Sequence, residues 1–164
     1  MTRQSYEKIN KWFDDHPKAG SFVCLANLFC TRLIYVCYPV LLVSLLLRRD
    51  PRFLRAFIVP AVSFVILSII RGWINSPRPY EKYEMKSLIQ KDTKGNSFPS
   101  RHVFSAFVIA MAGFYSNPLI GTLILILGIT VAVCRVLGGV HFPKDVIVGA
   151  LCGIIAGWIG FYIF

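Results

Sequence analysis

From Val103 to Cys134 the chain carries no charged side chain, and from Val146 to Phe164 again none. Two further runs, Phe22 to Leu47 and Phe53 to Ile70, are interrupted by single arginines, Arg32 and Arg55. Runs like these approach or exceed the roughly 18 uncharged residues that suggest a spanning helix. A backbone in hydrocarbon must satisfy its own N–H and C=O groups, which leaves helices as the element such runs can form. With 55% hydrophobic and 16% charged residues, the chain is more apolar than an ordinary soluble domain. The expected fold is therefore all-α: an integral membrane helix bundle of about five transmembrane helices.

The expected spans are Phe22 to Leu47, Phe53 to about Ile70, a short one from Pro99 to about Tyr115, Leu119 to about Val136, and Val146 to Phe164. Pro60 is an expected kink, of a kind tolerated inside lipid. Gly149, Gly153, Gly157 and Gly160, with Ala150 and Ala156, give the last span a face for close packing. Residues 1–20 form a separate expected unit, an interfacial amphipathic helix. Tyr6, Ile9 and Phe13 recur there at helical spacing, Glu7 and Lys11 can pair one turn apart, and Pro17 stops the pattern. Residues 21–164 make up the membrane-embedded domain.

The net charge of +10 does not point to nucleic acid, because the cations cluster at the ends of apolar runs and in one loop rather than on one soluble face. The five cysteines show no metal-ligand spacing and read as buried thiols. Arg32 has two readings, a cation behind a functional site or an anchor that snorkels to the interface.

Alternation of the spans brings three polar breaks to one face of the membrane: Arg71 to Pro79, Pro99 to His102, and Arg135 to Asp145. The basic turn Arg48 to Arg55 and the Ser116-Asn117-Pro118 turn fall on the other face. Arg71 and Arg78 are two helical turns apart if the second span continues, and both could then offer planar guanidiniums to phosphate oxygens; arginines at a helix end are also ordinary anchors. Pro99 suits a helix start, so the N–H groups of Ser100, Arg101 and His102 would project toward an anion, with the Ser100 hydroxyl as a further donor and His102 able to donate a proton. The alternative there is a plain helix cap. Pro143 places Asp145 about one turn beyond His141, where its carboxylate can fix the imidazole tautomer and leave the other nitrogen to attack; the alternative is a loop histidine beside a helix-start acid.

In order, the breaks read Arg71-x6-Arg78-Pro79, Pro99-Ser100-Arg101-His102 and Arg135-x5-His141-x3-Asp145. This resembles the type 2 phosphatidic acid phosphatase family of membrane lipid phosphatases. Its three motifs run lysine-x6-arginine-proline, proline-serine-glycine-histidine and serine-arginine-x5-histidine-x3-aspartate. The chain departs from that pattern in three places: Arg71 stands for the lysine, Arg101 for the glycine and Cys134 for the serine. Five spans and an interfacial helix also stand where many bacterial relatives have six spans.

The resemblance implies a metal-independent lipid phosphatase with no cofactor. His141 would attack phosphorus to form a phosphohistidine, Asp145 would orient it, and His102 would protonate the leaving oxygen. Arg71, Arg78, Ser100, Arg101 and Arg135 would hold the phosphate. The implied partner is a membrane lipid in the bilayer, best read as undecaprenyl diphosphate, with phosphatidic acid or phosphatidylglycerol phosphate as alternatives. A non-catalytic lipid-phosphate-binding protein ranks lower. The resemblance also implies a bacterial cytoplasmic membrane with the site on the extracytoplasmic face and the basic turn inside. A raw count of Lys82, Lys86, Lys91 and Lys94 on the site face argues the other way.

Overall fold

The computed structural model describes residues 1–90 and 93–163. Lys91, among the loop cations above, and Phe164, the expected end of the last span, lie outside the described residues. The chain folds as helices α1 (Arg3–Asp15), α2 (Pro17–Leu47), α3 (Arg52–Ile74), a single turn α4 (Pro79–Lys82), α5 (Arg101–Ser116), α6 (Pro118–Leu137) and α7 (Pro143–Trp158), which runs on as a π turn to Ile163. Four of these segments are long and apolar enough to cross a membrane: Pro17–Leu47, Arg52–Lys82, Pro118–Leu137 and Pro143–Ile163.

The third expected span, α5, has 16 residues and forms the centre of the bundle. Nearly all of its length from Val103 to Gly113 is buried, because α2, α3, α6 and α7 pack around it. A helix that is apolar all round belongs in a core. At 1.5 Å per residue α5 is about 24 Å long, against about 30 Å for α6 beside it. The two share a tight turn at Asn117, whose side chain accepts from the Leu119 and Ile120 amides. Helix α5 is therefore about 6 Å shorter than its neighbour. Around this core the outer helices expose Phe22, Leu25, Phe29, Phe57, Ile66, Leu123 and Leu151, the apolar belt that hydrocarbon covers.

Glycines of α7 set the closeness of the central seam. A Cβ on Gly149 would stand 2.7 Å from the Ser100 carbonyl oxygen, on Gly153 2.7 Å from that of Phe104, and on Gly157 2.4 Å from the Met111 Cβ. The small face expected of the last span thus lies directly on α5. In α3, Pro60 cannot donate to the Ala56 carbonyl one turn back. The Tyr38 hydroxyl of α2 takes over, donating to that oxygen at 2.9 Å, a bond worth about 1 kcal/mol. On the face away from the polar breaks, Arg52 pairs with Asp50 at 2.6 Å and caps the end of α5 through the Ser116 carbonyl at 3.0 Å.

Three expectations need correction. The first span begins at Pro17 rather than Phe22, because Pro17 ends α1 and also opens α2 as its first residue. Glu7 pairs back with Arg3 at 2.7 Å rather than forward with Lys11. The stripe of α1 is turned toward the protein: Tyr6 is fully buried, and Phe13 packs with Val23 and Cys134. Arg32 is exposed on the outside of α2.

Gly153→Ala should lower the stability of the detergent-solubilised protein by about 1–3 kcal/mol through overpacking of the α5–α7 seam. Gly72→Ala, where a Cβ meets nothing within 4 Å, should be neutral or stabilising. Equal thermal unfolding of the two variants would contradict the seam.

Candidate active site

The three polar breaks converge at one end of the bundle, and the loop between α3 and α5 closes over them. Helix α3 stops at Ile74, and Asn75 takes a left-handed conformation (φ 40°) as its cap. Arg71 and Arg78 therefore do not share a helix face, contrary to the spacing argument. They converge because the chain turns back, and Pro79 opens the one-turn α4 instead of ending a segment. Both guanidiniums donate to the carbonyl of Asn96, Arg71 through Nη2 and Arg78 through its own Nη2 at 3.5 Å. Arg78 also donates to the carbonyls of Gly95 (3.0 Å) and Val140 (3.2 Å), the latter adjoining His141.

That loop conformation depends on Gly95, at φ +64°, where a Cβ would stand 2.3 Å from Asn75 Oδ1. The Glu81 carboxylate fixes it from below, accepting from the Gly95 amide at 2.8 Å and the Arg78 amide at 2.7 Å. Arg71, Arg78 and Arg135 are all at least nine-tenths buried, and Arg135 Nε has no partner. Cys134, where the family has serine, packs with Phe13 and Val23.

His141 is fully buried in the turn between α6 and α7. Its Nδ1 lies 3.6 Å from Asp145 Oδ2, one turn on, and 3.4 Å from the hydroxyl of Ser97. Ser97 donates to the same Asp145 oxygen at 2.5 Å. A serine hydroxyl has one proton to give. With that proton on the carboxylate, Ser97 Oγ can only accept from His141, so Nδ1 carries the ring hydrogen and Nε2 the lone pair. Nε2 has no hydrogen-bond partner. Burial, reinforced by the charges of Arg78 and Arg135 and opposed by Asp145, pulls the His141 pKa down from its usual 6.5 to about 4. The imidazole is therefore neutral near pH 7. Asp145 Oδ2 also accepts from the Phe142 amide at 3.0 Å, which caps α7.

The second break divides between interior and mouth. Ser100 is fully buried, its amide donates to the Asp145 carbonyl at 2.9 Å, and its hydroxyl has no partner. This corrects the expectation that the Ser100 amide projects toward an anion: that group ties α5 to α7. Arg101 and His102 line an open cavity of about 290 Å³ together with Arg71, Arg78, Lys94 and Asn96. Arg101 is exposed, with its guanidinium 5.5 Å from the Phe64 ring centroid. His141 lies behind this cavity rather than on its wall.

Two contributors escaped the sequence. Ser97 sits just outside the second motif, and a lone loop serine carries no spacing signal. Tyr6, whose hydroxyl donates to the His141 carbonyl at 3.0 Å, comes from 135 positions upstream. Only the pattern of buried positions on α1 hinted that it faced anything.

Among proteins this chain resembles, it is 31% identical over 109 residues to the bacitracin transport permease protein BcrC of Bacillus licheniformis, covering 64% of this chain and 54% of that protein. To the undecaprenyl-diphosphatase BcrC of Bacillus subtilis it is 29% identical over 137 residues, covering 81% of this chain and 70% of that protein. The chain thus spans about half the length of the first relative. The crystal structure of Aquifex aeolicus LpxE superposes with a TM-score of 0.68 at 26% identity, covering 87% of this chain and 92% of that one. That of a PAP2 type phosphatidylglycerolphosphate phosphatase from Bacillus subtilis superposes at 0.65 with 18% identity, covering 96% and 83%, a likeness of fold. With its apolar helices and bacterial membrane relatives, this is an integral membrane protein. Residues 52–164, more than half of the chain, match the PAP2 superfamily, and the chain belongs to that superfamily.

Proposed function

We propose that this protein is a metal-independent lipid phosphatase acting through a phosphohistidine at His141, with the chemistry carried by residues 21–164. The observation that carries the reading is a neutral, fully buried imidazole whose unpartnered Nε2 sits beside buried arginines. The Nε2 lone pair attacks phosphorus and the bond from phosphorus to the leaving oxygen breaks. His102, on the cavity wall, gives that oxygen a proton. Ser97 and Asp145 stabilise the imidazolium charge through Nδ1. Water then attacks the phosphohistidine, His102 takes a proton back, and inorganic phosphate leaves. Arg71, Arg78 and Arg135 bind the equatorial oxygens in the role a metal has elsewhere. The Ser100 hydroxyl is placed to donate as well.

The substrate we favour is a polyprenyl diphosphate such as undecaprenyl diphosphate. Arg101 and Lys94 add two cations on the cavity shared with His102, where a second phosphate would lie. The name of the Bacillus subtilis relative supports the same choice. Attack at the terminal phosphorus then leaves a lipid monophosphate whose charge these cations offset. A site at the end of a bundle of apolar helices suits a headgroup whose chain stays in the bilayer. We read the site face as extracytoplasmic because Arg48, Arg49, Arg52 and Arg55 crowd the opposite turn. A cysteine placed at Asn117 should then resist a membrane-impermeant maleimide in intact cells, and ready labelling there would reverse the orientation.

Purified protein with EDTA present should release phosphate from undecaprenyl diphosphate faster than from phosphatidic acid or phosphatidylglycerol phosphate, and His141→Ala should release none. Arg101→Ala should slow the diphosphate reaction by about tenfold and the phosphatidic acid reaction far less. No release from any of the three lipids would defeat the phosphatase reading in favour of a binding role. Equal losses for Arg101→Ala on all three would defeat the diphosphate preference alone.

A lowered pKa keeps the Nε2 lone pair available as pH falls. The acid limb of kcat/KM, corrected for ionisation of the lipid phosphate, should therefore lie well below 6.5 and toward 4. A limb centred at 6.5 or above would contradict a buried neutral nucleophile.

A further inference from the structure

Helix α1 lies outside the stretch that matches the superfamily, yet it reaches the centre of the site. Tyr6 is 0% exposed, and its hydroxyl donates to the main-chain carbonyl of His141 itself at 3.0 Å. Its ring meets Phe142 edge to face at 6.0 Å and Tyr83 at 6.1 Å, while Tyr83 meets Phe142 edge to face at 6.0 Å. These three rings, from α1, the α3–α5 loop and the turn before α7, form one aromatic cluster on the residue that follows His141. The α1 helix is seated independently of Tyr6. Asn10 donates to the Lys86 carbonyl at 2.9 Å, Tyr83 donates to the Met1 carbonyl at 3.3 Å, and Phe13 packs with Val23 and Cys134.

Apart from Tyr6, the turn is held by Arg78 on the Val140 carbonyl at 3.2 Å and by Asp145, whose Oδ2 accepts from the Phe142 amide at 3.0 Å. Gly139 takes a left-handed conformation (φ 72°). The amides of Val140 and His141 both reach back to one acceptor, the Arg135 carbonyl, at 3.2 and 3.3 Å. The His141–Phe142 peptide is tied to Asp145 at its N–H and to Tyr6 at its C=O, and the imidazole follows the plane of that peptide. Without the Tyr6 hydroxyl the carbonyl side of this peptide loses its hydrogen bond, while the Tyr6 ring on Phe142 holds the residue that follows.

We propose that Tyr6 is a positioning residue for the nucleophile: the N-terminal helix is a strap whose buried hydroxyl and ring hold the His141–Phe142 peptide so that Nε2 stays aimed at phosphorus. The inference rests on His141 being the nucleophile. The strap acts on the aim of a group that is already in place, so its loss costs turnover rather than substrate binding. It also makes the interfacial segment part of the catalytic apparatus, since anything that lifts α1 releases the turn.

The test compares Tyr6→Phe, which keeps the ring and removes the donor, with Asn10→Ala, which loosens α1 elsewhere. Both are assayed beside the wild type and His141→Ala on undecaprenyl diphosphate and phosphatidic acid. Tyr6→Phe should lower kcat by about tenfold with KM unchanged; Asn10→Ala should leave kcat within about twofold of wild type. Amide hydrogen exchange at Val140 and His141 should speed up in Tyr6→Phe alone. An unchanged kcat in Tyr6→Phe, or equal losses in both variants, overturns the inference while leaving the phosphatase reading intact. Should the wild type itself turn over neither lipid, hydrogen exchange decides: faster exchange in Tyr6→Phe upholds the strap, and unchanged exchange overturns it.

Discussion

The constraint that organises this molecule is the burial of three guanidinium groups, Arg71, Arg78 and Arg135, at one end of an apolar bundle. Each such ion costs several kcal/mol to remove from water unless its donors find acceptors. One acid, Asp145, is fully buried in the same region, and its Oδ2 is already taken by Ser97 and Phe142. Main-chain oxygens serve two of the three, with the carbonyls of Gly95, Asn96 and Val140 accepting from Arg71 and Arg78, while Arg135 Nε has no partner. This explains why the α3–α5 loop is ordered by left-handed residues, Asn75, Gly95 and Asn96. The loop must turn its carbonyls inward, and Glu81 holds the turn that does so. Neutralising the remaining charge is left to an anion, the role proposed above for the lipid phosphate.

The glycine seam matters for the same reason. The Ser100 amide and the Asp145 carbonyl bond at 2.9 Å only because Gly149 lets the α5 start approach α7 without a side chain between. Helix α5 brings Ser100, Arg101 and His102 to the site, and α7 brings Asp145. Their spacing is thus set by packing along the whole seam, down to Gly157 against Met111. A change several turns away reaches the site through helix position rather than through any contact with substrate.

Much of this was legible in the sequence. The apolar runs gave the spans, alternation put three polar breaks on one face, and the glycine spacing of the last run marked the seam. Where sequence reasoning failed, a loop had replaced a helix. Arg71 and Arg78 were expected on one helical face, yet Asn75 turns the chain between them, and periodicity carries no information past a left-handed cap. Ser97 was invisible because its role depends on a tertiary contact spanning 48 positions. The stripe of α1 was read correctly as amphipathic, but amphipathicity does not say whether the apolar side meets lipid or protein. Burial of Tyr6 decides that here.

The charge states around His141 fit together in one direction. A protonated imidazole would be a fourth buried cation with no lone pair to attack, and burial and the neighbouring arginines both oppose it. Asp145 alone would pull the other way, toward the imidazolium. Interposing Ser97 weakens that pull, since the carboxylate oxygen nearest the ring already accepts a proton from the hydroxyl at 2.5 Å. The ring thus stays neutral at rest while its Nδ1 hydrogen is directed at the Ser97 hydroxyl, with the Asp145 carboxylate 3.6 Å from Nδ1. In the proposed mechanism positive charge would develop on the imidazole only as the bond to phosphorus forms, when the arginines would face the phosphoryl oxygens and Asp145 would be the group left to stabilise it.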